Sequence, residues 1–404
     1  MRVQEKLPRD MYDPNSSHPG SLSPASCREK SSIEEILGIP FTEDNHVRLL
    51  RSGKEIFEAV FNAVKGARQI ICIEFYIFKN DDTGRRLAEL LLEKAMQGVQ
   101  VYILYDHFGS FSTPVKFWLS LKKAGVNIRI SHPIKWSAPS QHIHRDHKKL
   151  LIIDGARAFT GGFNIGDEYH GYLRMRKEAW RDTGIYLEGP IASTLFEIFK
   201  KSWSAWKGKT IEREKAPEPL KNGVSVIPIF TSSARGRKKL RKLFFYSISN
   251  AKEKILLTNA YFTPSKRMLT VLEDAIKKGV KIKLLLPGKS DFLPVFYASR
   301  ASYNKLLSIG AEIYVYQDRI LHAKSAVFDS CWSIIGSANL DFQSLRRNDE
   351  SNVGIFDNDF ARQMTETFTE DLNHSIKISK ETWPNRPFYE KVLEKFFVIF
   401  RKRF

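Results

Sequence analysis

Ile70-Ile71-Cys72-Ile73-Glu74-Phe75-Tyr76-Ile77-Phe78, entered through Ala67-Arg68-Gln69, reads as a buried strand. A helical pattern through Leu87, Leu90, Leu91 and Ala95 follows, stops at Gly98, and gives way to a second apolar run, Val99–Tyr105. The same order returns later in the chain. Ala251-Lys252-Glu253 leads into Ile255–Phe262, Met268, Leu269, Leu272 and Ile276 repeat the helical spacing as far as Gly279, and Val280–Leu286 is again a strand. Further on, Leu121–Gly125 before Val126–Ile130 resembles Leu306–Gly310 before Ala311–Tyr316. The chain is a duplication.

Strands alternating with helices, in continuous apolar runs, predict an α/β fold: two similar halves related by a pseudo-twofold, each a mostly parallel mixed sheet flanked by helices. The expected divisions are a disordered arm over 1–31, a first half over 32–206, a linker over 207–223 containing Pro217 and Pro219, a second half over 224–376, and a basic amphipathic segment over 377–404.

The 404 residues carry 64 Lys and Arg against 45 Asp and Glu, a net charge of +19 that favours polyanionic partners: nucleic acid, anionic lipid or a phosphorylated substrate. Cys27, Cys72 and Cys331 lie far apart, without the spacing of a disulfide scaffold or zinc knuckle, which fits a reducing compartment. The longest apolar run, Ile70–Phe78, is too short to cross a bilayer, and the first residues lack the apolar stretch of a signal peptide.

Inside the duplication, one spaced pattern occurs twice: His-x-Lys, four residues, Asp, six residues, then Gly-Gly/Ser-x-Asn. The first copy is His147-Lys148-Lys149, Asp154 and Gly161-Gly162-Phe163-Asn164; the second is His322-Ala323-Lys324, Asp329 and Gly336-Ser337-Ala338-Asn339. Five or six constrained positions at identical spacing are hard to obtain by chance.

Strand alternation sets His147 beside Lys149 and His322 beside Lys324, so two halves meeting about a pseudo-dyad would bring two imidazoles and two ammoniums to one pocket. Such a pocket suits a phosphodiester. Lys149, Lys324, Asn164 and Asn339 would donate to its non-bridging oxygens, one imidazole would attack phosphorus, and the other would serve as general acid and then base. With an unperturbed pKa of about 6.5, histidine can fill either role, and this set of residues needs no metal or other cofactor. An acceptor on the far ring nitrogen should orient each histidine; Asp182 is the candidate for the first half and Glu350 for the second. Asp154 and Asp329 count among the six motif residues assigned to the catalytic set, although both precede tight turns and suit a structural role as well.

This arrangement resembles the phospholipase D superfamily over about residues 45–375. In finer detail, Gly161–Ile165, Trp180-Arg181-Asp182-Thr183 with Glu188-Gly189-Pro190, and Gly336–Asp341 ahead of Ser344-Leu345 resemble bacterial cardiolipin synthases of the short type without amino-terminal transmembrane helices. The resemblance implies transfer of a phosphatidyl group between two phosphatidylglycerol molecules through a phosphohistidine, with release of glycerol. It implies His147 as nucleophile and His322 as general acid/base. One departure is the basic Leu345-Arg346-Arg347-Asn348-Asp349 stretch before Glu350.

Three other readings stay open at this stage: a phospholipase D-type hydrolase, a phosphodiesterase nuclease using the same two histidines, and a binding protein without turnover. His132, His142, His144 and His170 match no zinc spacing, so no metal is assigned. Val392, Leu393, Phe396, Phe397, Phe400 and Phe404 recur at helical steps among Lys391, Lys395, Arg401, Lys402 and Arg403. That pattern predicts a cationic helix lying on an anionic membrane surface, argues against nucleic acid as the partner, and places the protein peripherally on the cytoplasmic side of the cell membrane. Oligomeric state is open.

Overall fold

The computed structural model describes residues 24–134, 144–171, 179–212 and 223–402, with side chains from residue 29 onward. Fifteen strands are present among them. The first half contributes β1 (Thr42–Leu50), β2 (Ile70–Phe75), β3 (Gln100–Asp106), β4 (Asn127–Ser131), β5 (Lys149–Ile153), β6 (Arg157–Gly161) and β7 (Gly184–Glu188). The second contributes β8 (Val224–Phe230), β9 (Lys254–Thr258), β10 (Lys281–Pro287), β11 (Glu312–Tyr316), β12 (Ser325–Phe328), β13 (Trp332–Gly336), β14 (Ser351–Phe356) and β15 (Ser375–Ile378).

The lateral orders, β4-β3-β2-β5-β6-β7-β1 and β11-β10-β9-β12-β13-β14-β8, are the same order twice, joined where β1 pairs with β8 and extended by β15 beside β11. The duplication is thus a duplication of topology. Among the strands, parallel pairing is confined to β2-β3-β4 and β9-β10-β11. The remaining strand pairs are antiparallel, so the sheet is mixed as expected, but mostly antiparallel where the sequence predicts mostly parallel. The apolar runs misled because helices cover both faces whichever way a strand points. Where helices such as Asp82–Met96 and Lys266–Lys277 cross over, the flanking strands run parallel; where short turns join them, as β5 to β6 and β12 to β13, they run antiparallel.

Both crossover helices stop at the glycines that the sequence predicts. Asp81 and Ser265 accept from the backbone N–H three residues on, and Gly98 and Gly279, at φ +87° and +93°, supply the left-handed stop.

Alternate residues along each strand enter different cores. Leu151 and Ile153 pack outward with Phe57, Phe61 and Leu91, whereas Leu150 and Ile152 pack inward against a central layer. That layer holds Phe199 and Trp203 of the helix Pro190–Ala205 and Met364 and Phe368 of the helix Asn358–Asn373, flanked by strands from both halves. The order of layers is therefore helix, sheet, helix, sheet, helix.

The expected division at residue 31 changes. Residues 1–23 lie outside the described residues, but Pro24–Leu37 is a helix, and Ile33, Ile36, Leu37 and Phe41 join the second half's core with Leu240, Leu243 and Trp332. Most of the expected linker, 213–222, also lies outside the described residues. The boundary at 376/377 falls inside β15, and the amphipathic helix runs from Phe388 to Ile399. Arg403 and Phe404 are not among the described residues. No helix among those described is long and apolar enough to cross a membrane.

Candidate active site

The two His-x-Lys segments sit at corresponding places, just before or at the first residue of β5 and β12. Lys149 pairs with Phe75 and Ser325 with Thr258, at the carboxy-terminal ends of β2 and β9. These edges of the two halves are stitched together by backbone. His147 N donates to Asp349 O (2.8 Å) and Asp349 N to Arg145 O (2.9 Å); Arg181 N donates to Ile320 O and His322 N to Arg181 O (both 2.8 Å). Lys149 N further donates to Ser351 Oγ at 2.9 Å.

This stitching crosses the orienting carboxylates. His147 Nδ1 lies 2.9 Å from Glu350 Oε2, and His322 Nδ1 lies 2.7 Å from Asp182 Oδ2. Each imidazole is held by the other half, which corrects the assignment of Asp182 to the first histidine and Glu350 to the second. The physical reason is the interleaving: each acid lies just before β7 or β14, where the chain bridges to the segment carrying the opposite histidine. A carboxylate accepts, so each Nδ1 donates and each Nε2 is left as the basic nitrogen. Glu350 Oε2 also accepts from Ser337 Oγ, and Asp182 Oδ1 accepts from Thr183 N at 2.7 Å.

Both lysines are buried, and each donates to the carbonyl of the histidine two residues earlier, Lys149 at 2.7 Å. Burial lowers the pKa of Lys149 to about 7, with Glu350 opposing and the Lys324 ammonium adding to the fall, and that of Lys324 to about 8, with Asp182, Asp291 and Glu350 opposing. His147 is pushed down to about 4 by burial, Glu350 working against the fall and Lys149 and Lys324 with it. His322 is lowered by burial and by Lys324, with Asp182 opposing. Charge from both halves thus bears on one cleft.

Asn164 Oδ1 accepts from Ile77 N and its amide donates to Tyr169 Oη (2.8 Å); Asn339 Oδ1 accepts from Tyr261 N (both backbone bonds 3.2 Å). The two amides are therefore pinned through their oxygens, in matching fashion.

Asp154 and Asp329 are not brought to the cleft. At the far end of β5, Asp154 is about 16 Å of strand from Lys149, and its carboxylate accepts from the N–H groups of Arg68, Gln69 and Ile70. Asp329 does the same for Lys252, Glu253 and Lys254. Both sit at φ +54°, a left-handed turn position that Asp tolerates. Their recurrence in the motif reflects the start of β2 and β9, and the catalytic assignment is corrected for both.

Several cleft residues escaped the sequence reading. The Tyr76 ring lies 5.0 Å from that of His147 and 5.3 Å from Lys149 Nζ; Tyr169 and Trp180 lie 5.3 and 5.5 Å from the His322 ring. Asp291, bonded by Tyr261 Oη at 2.6 Å, adds negative charge beside His322 and Lys324. Ser337 and Trp180 stood within the quoted motifs; Tyr169 and Asp291 come from connecting segments with no repeated signal. Lys148, the unconstrained middle position, is buried against Glu74 and Asp146 (2.8 Å), whereas the corresponding second-half positions are Ala323, Thr258 and Leu321.

His132, His144 and Asp349 offer ligand atoms within 4.8 Å of one another, a grouping the spacing did not reveal. Arg237 Nη1 stands at 2.9 Å from Asp349 Oδ1 and 3.3 Å from His144 Nε2, where a cation would sit. His170 is elsewhere, against Phe57 and Thr83, and His142 lies outside the described residues.

The family model described as the PLD-like domain of cardiolipin synthase matches residues 60–203 and 245–372, one segment in each half. The chain is 34% identical over 359 residues to the major cardiolipin synthase ClsA of Bacillus subtilis, covering 88% of this chain and 74% of that protein. It is also 34% identical to cardiolipin synthase A of Pseudomonas fluorescens over 345 residues, 85% of this chain and 72% of that one. Among solved structures, the phosphatidylserine synthase of Haemophilus influenzae superposes with a TM-score of 0.68 at 13% identity, over 93% of this chain and all of that one. At that identity the likeness concerns the fold. With its twin His-x-Lys segments in one cleft and this extent of sequence identity, the chain belongs to the phospholipase D-like cardiolipin synthase family.

Proposed function

We propose that the protein is a phosphatidyltransferase that moves a phosphatidyl group from one phosphatidylglycerol to a glycerol hydroxyl of another, releasing glycerol. The observation that carries this reading is the pair of crossed imidazole–carboxylate contacts flanked by two buried lysines. His147 Nε2 attacks phosphorus, the bond from phosphorus to the glycerol oxygen breaks, and His322, entering this step as the imidazolium, gives that oxygen its Nε2 proton. His322 Nε2 then takes the proton of the acceptor hydroxyl, whose oxygen attacks phosphorus as the phosphorus–nitrogen bond breaks. Lys149, Lys324, Asn164 and Asn339 hold the non-bridging oxygens as charge gathers there. Glu350 and Asp182 are positioning residues that fix tautomer and ring direction.

Bilayer-resident substrates require the enzyme to approach a membrane. The helix Phe388–Ile399 supports a peripheral mode on the cytoplasmic side: Phe388, Tyr389, Val392, Phe396 and Ile399 are exposed, while Glu394 is buried against Arg300 and Arg386. The deciding experiment incubates purified protein, in chelator, with phosphatidylglycerol vesicles and separately with DNA. Cardiolipin and glycerol found together by mass spectrometry support the reading. Phosphatidic acid alone, or cut DNA without cardiolipin, would sink it.

A further inference from the structure

The register places more than the histidines on the cleft edge. Phe75 pairs with both Lys149 and Tyr105, so β3 ends where β5 begins, and the segment following β3 leaves from the edge that carries His147. In the second half Thr258 pairs with both Ser325 and Leu285, so the segment following β10 leaves from the edge that carries His322. These two segments are counterparts in the duplication, and both turn large apolar side chains to solvent.

In the first half these are Phe108, Phe111 and Val115, the last two 68% and 71% exposed. They are held out by a firm base. Ser110 Oγ bonds Tyr76 O and Phe78 N, Thr113 Oγ1 bonds Phe78 O, and Trp118 beneath is buried and stacked on Tyr105 with ring centroids 3.9 Å apart. The Arg145 guanidinium, two residues before His147, lies over the Phe108 ring at 5.1 Å. In the second half, Phe292 and Leu293 directly follow Asp291, whose charge reaches Lys324, and the helix Leu293–Arg300 carries the amphipathic carboxy-terminal helix through the stacked Tyr297 and Phe397. Exposed apolar groups therefore stand on both sides of one cleft, each anchored to a residue next to the chemistry. A cluster of large apolar side chains left in solvent marks a contact surface.

We propose that these two segments are a paired membrane-insertion rim, with Phe108, Phe111 and Val115 entering an anionic phospholipid bilayer on one side of the cleft and Phe292, Leu293 and the carboxy-terminal helix on the other. The occupant follows from charge and position. Residues 107–131 contain Lys116, Lys122, Lys123 and Arg129 and no acidic residue, which matches an anionic surface. A rim on both sides would seat the cleft mouth on the bilayer, where a second protein copy would block it. The inference rests on the phosphatidyl-transfer reading for its substrate, yet its test is independent of turnover.

The experiment measures partition of the full chain onto phosphatidylglycerol-containing vesicles by sedimentation, and separately turnover of short-chain phosphatidylglycerol below its critical micelle concentration. The variants are Phe111→Ser with Val115→Ser, Leu293→Ser alone, and Met96→Ser, an exposed apolar residue on the helix Asp82–Met96 that ends at the opposite edge. The first should lose roughly tenfold in partition, Leu293→Ser a smaller factor, and Met96→Ser nothing, with far-ultraviolet circular dichroism unchanged in all. Short-chain turnover should persist wherever the parent shows it. Unchanged partition in the double variant, or an equal loss in Met96→Ser, overturns the rim. A shift of the double variant from dimer to monomer with partition intact assigns the face to self-association and also overturns it. A parent that binds vesicles through the rim but turns over no phosphatidylglycerol refutes the catalytic reading alone.

Discussion

His147 and Glu350, 203 residues apart in the chain, share a 2.9 Å contact between Nδ1 and Oε2. Asp182 holds His322 in the same way from the opposite direction, so the tautomer of each histidine depends on the half that does not contain it. Glu350→Gln should slow formation of the phosphoryl-enzyme, and Asp182→Asn should impair the steps that need His322, each by about 10²–10⁴-fold. Rapid-quench measurement of the two half-reactions separates them; a Glu350→Gln enzyme slowed only in transfer to the acceptor would reverse the roles.

The division of labour between the histidines is open to direct trapping. His147→Ala should abolish acid-quenched phosphoryl-enzyme, whereas His322→Ala should retain slow labelling, because only the first supplies the attacking nitrogen. Equal trapping in His147→Ala and the parent would exclude that assignment.

The pH profile follows from burial. With its pKa near 4, His147 is neutral and ready to attack at neutral pH, and is lost only as acid charges it. Lys149, near 7, surrenders the charge that holds phosphate as pH rises. Measured on a soluble substrate, kcat/KM should show an acid limb near 4, begin to decline below the ordinary histidine range as the His322 imidazolium is lost, and fall further near 7 and 8 as Lys149 and Lys324 lose charge. A flat profile to pH 9 would contradict the depressed lysines.

Asp154→Ala removes the acceptor of three backbone N–H groups at the entry to β2 and places Ala at positive φ. Unfolding free energy should fall by about 1–3 kcal/mol in urea titration, and Asp329→Ala should behave alike. Loss of activity with stability unchanged would return both residues to the chemistry.

For the carboxy-terminal helix, substitution tests more cleanly than deletion, since deletion would strip Arg300 of Glu390 and Glu394. Phe388→Ser with Val392→Ser and Phe396→Ser should weaken sedimentation with anionic vesicles while leaving the Tm within a few degrees. Retained sedimentation would remove the helix from docking.

The repeat made topology legible: two runs of strand, helix and strand, their helices stopping at Gly98 and Gly279, foretold twin halves. Strand direction was not, because Leu150–Ile153 is apolar on both faces through helix coverage alone. The His-x-Lys copies identified the cleft, yet spacing along the chain could not show that Asp182 and Glu350 cross over, since that depends on how the two edges interleave. Nor could it separate Asp154, repeated because each half must start a strand, from Lys149, repeated because each half must present an ammonium. Tyr169 and Asp291 carry no counterpart and became visible only in three dimensions.

Ile33, Ile36, Leu37 and Phe41 begin the chain's described portion inside the second half's core before β1 opens the first. The polypeptide therefore clasps itself a second time, in addition to the 207–223 connection. Severing that connection would yield two fragments that remain associated, and the nicked molecule should still run as one particle on size exclusion until denaturant releases the clasp.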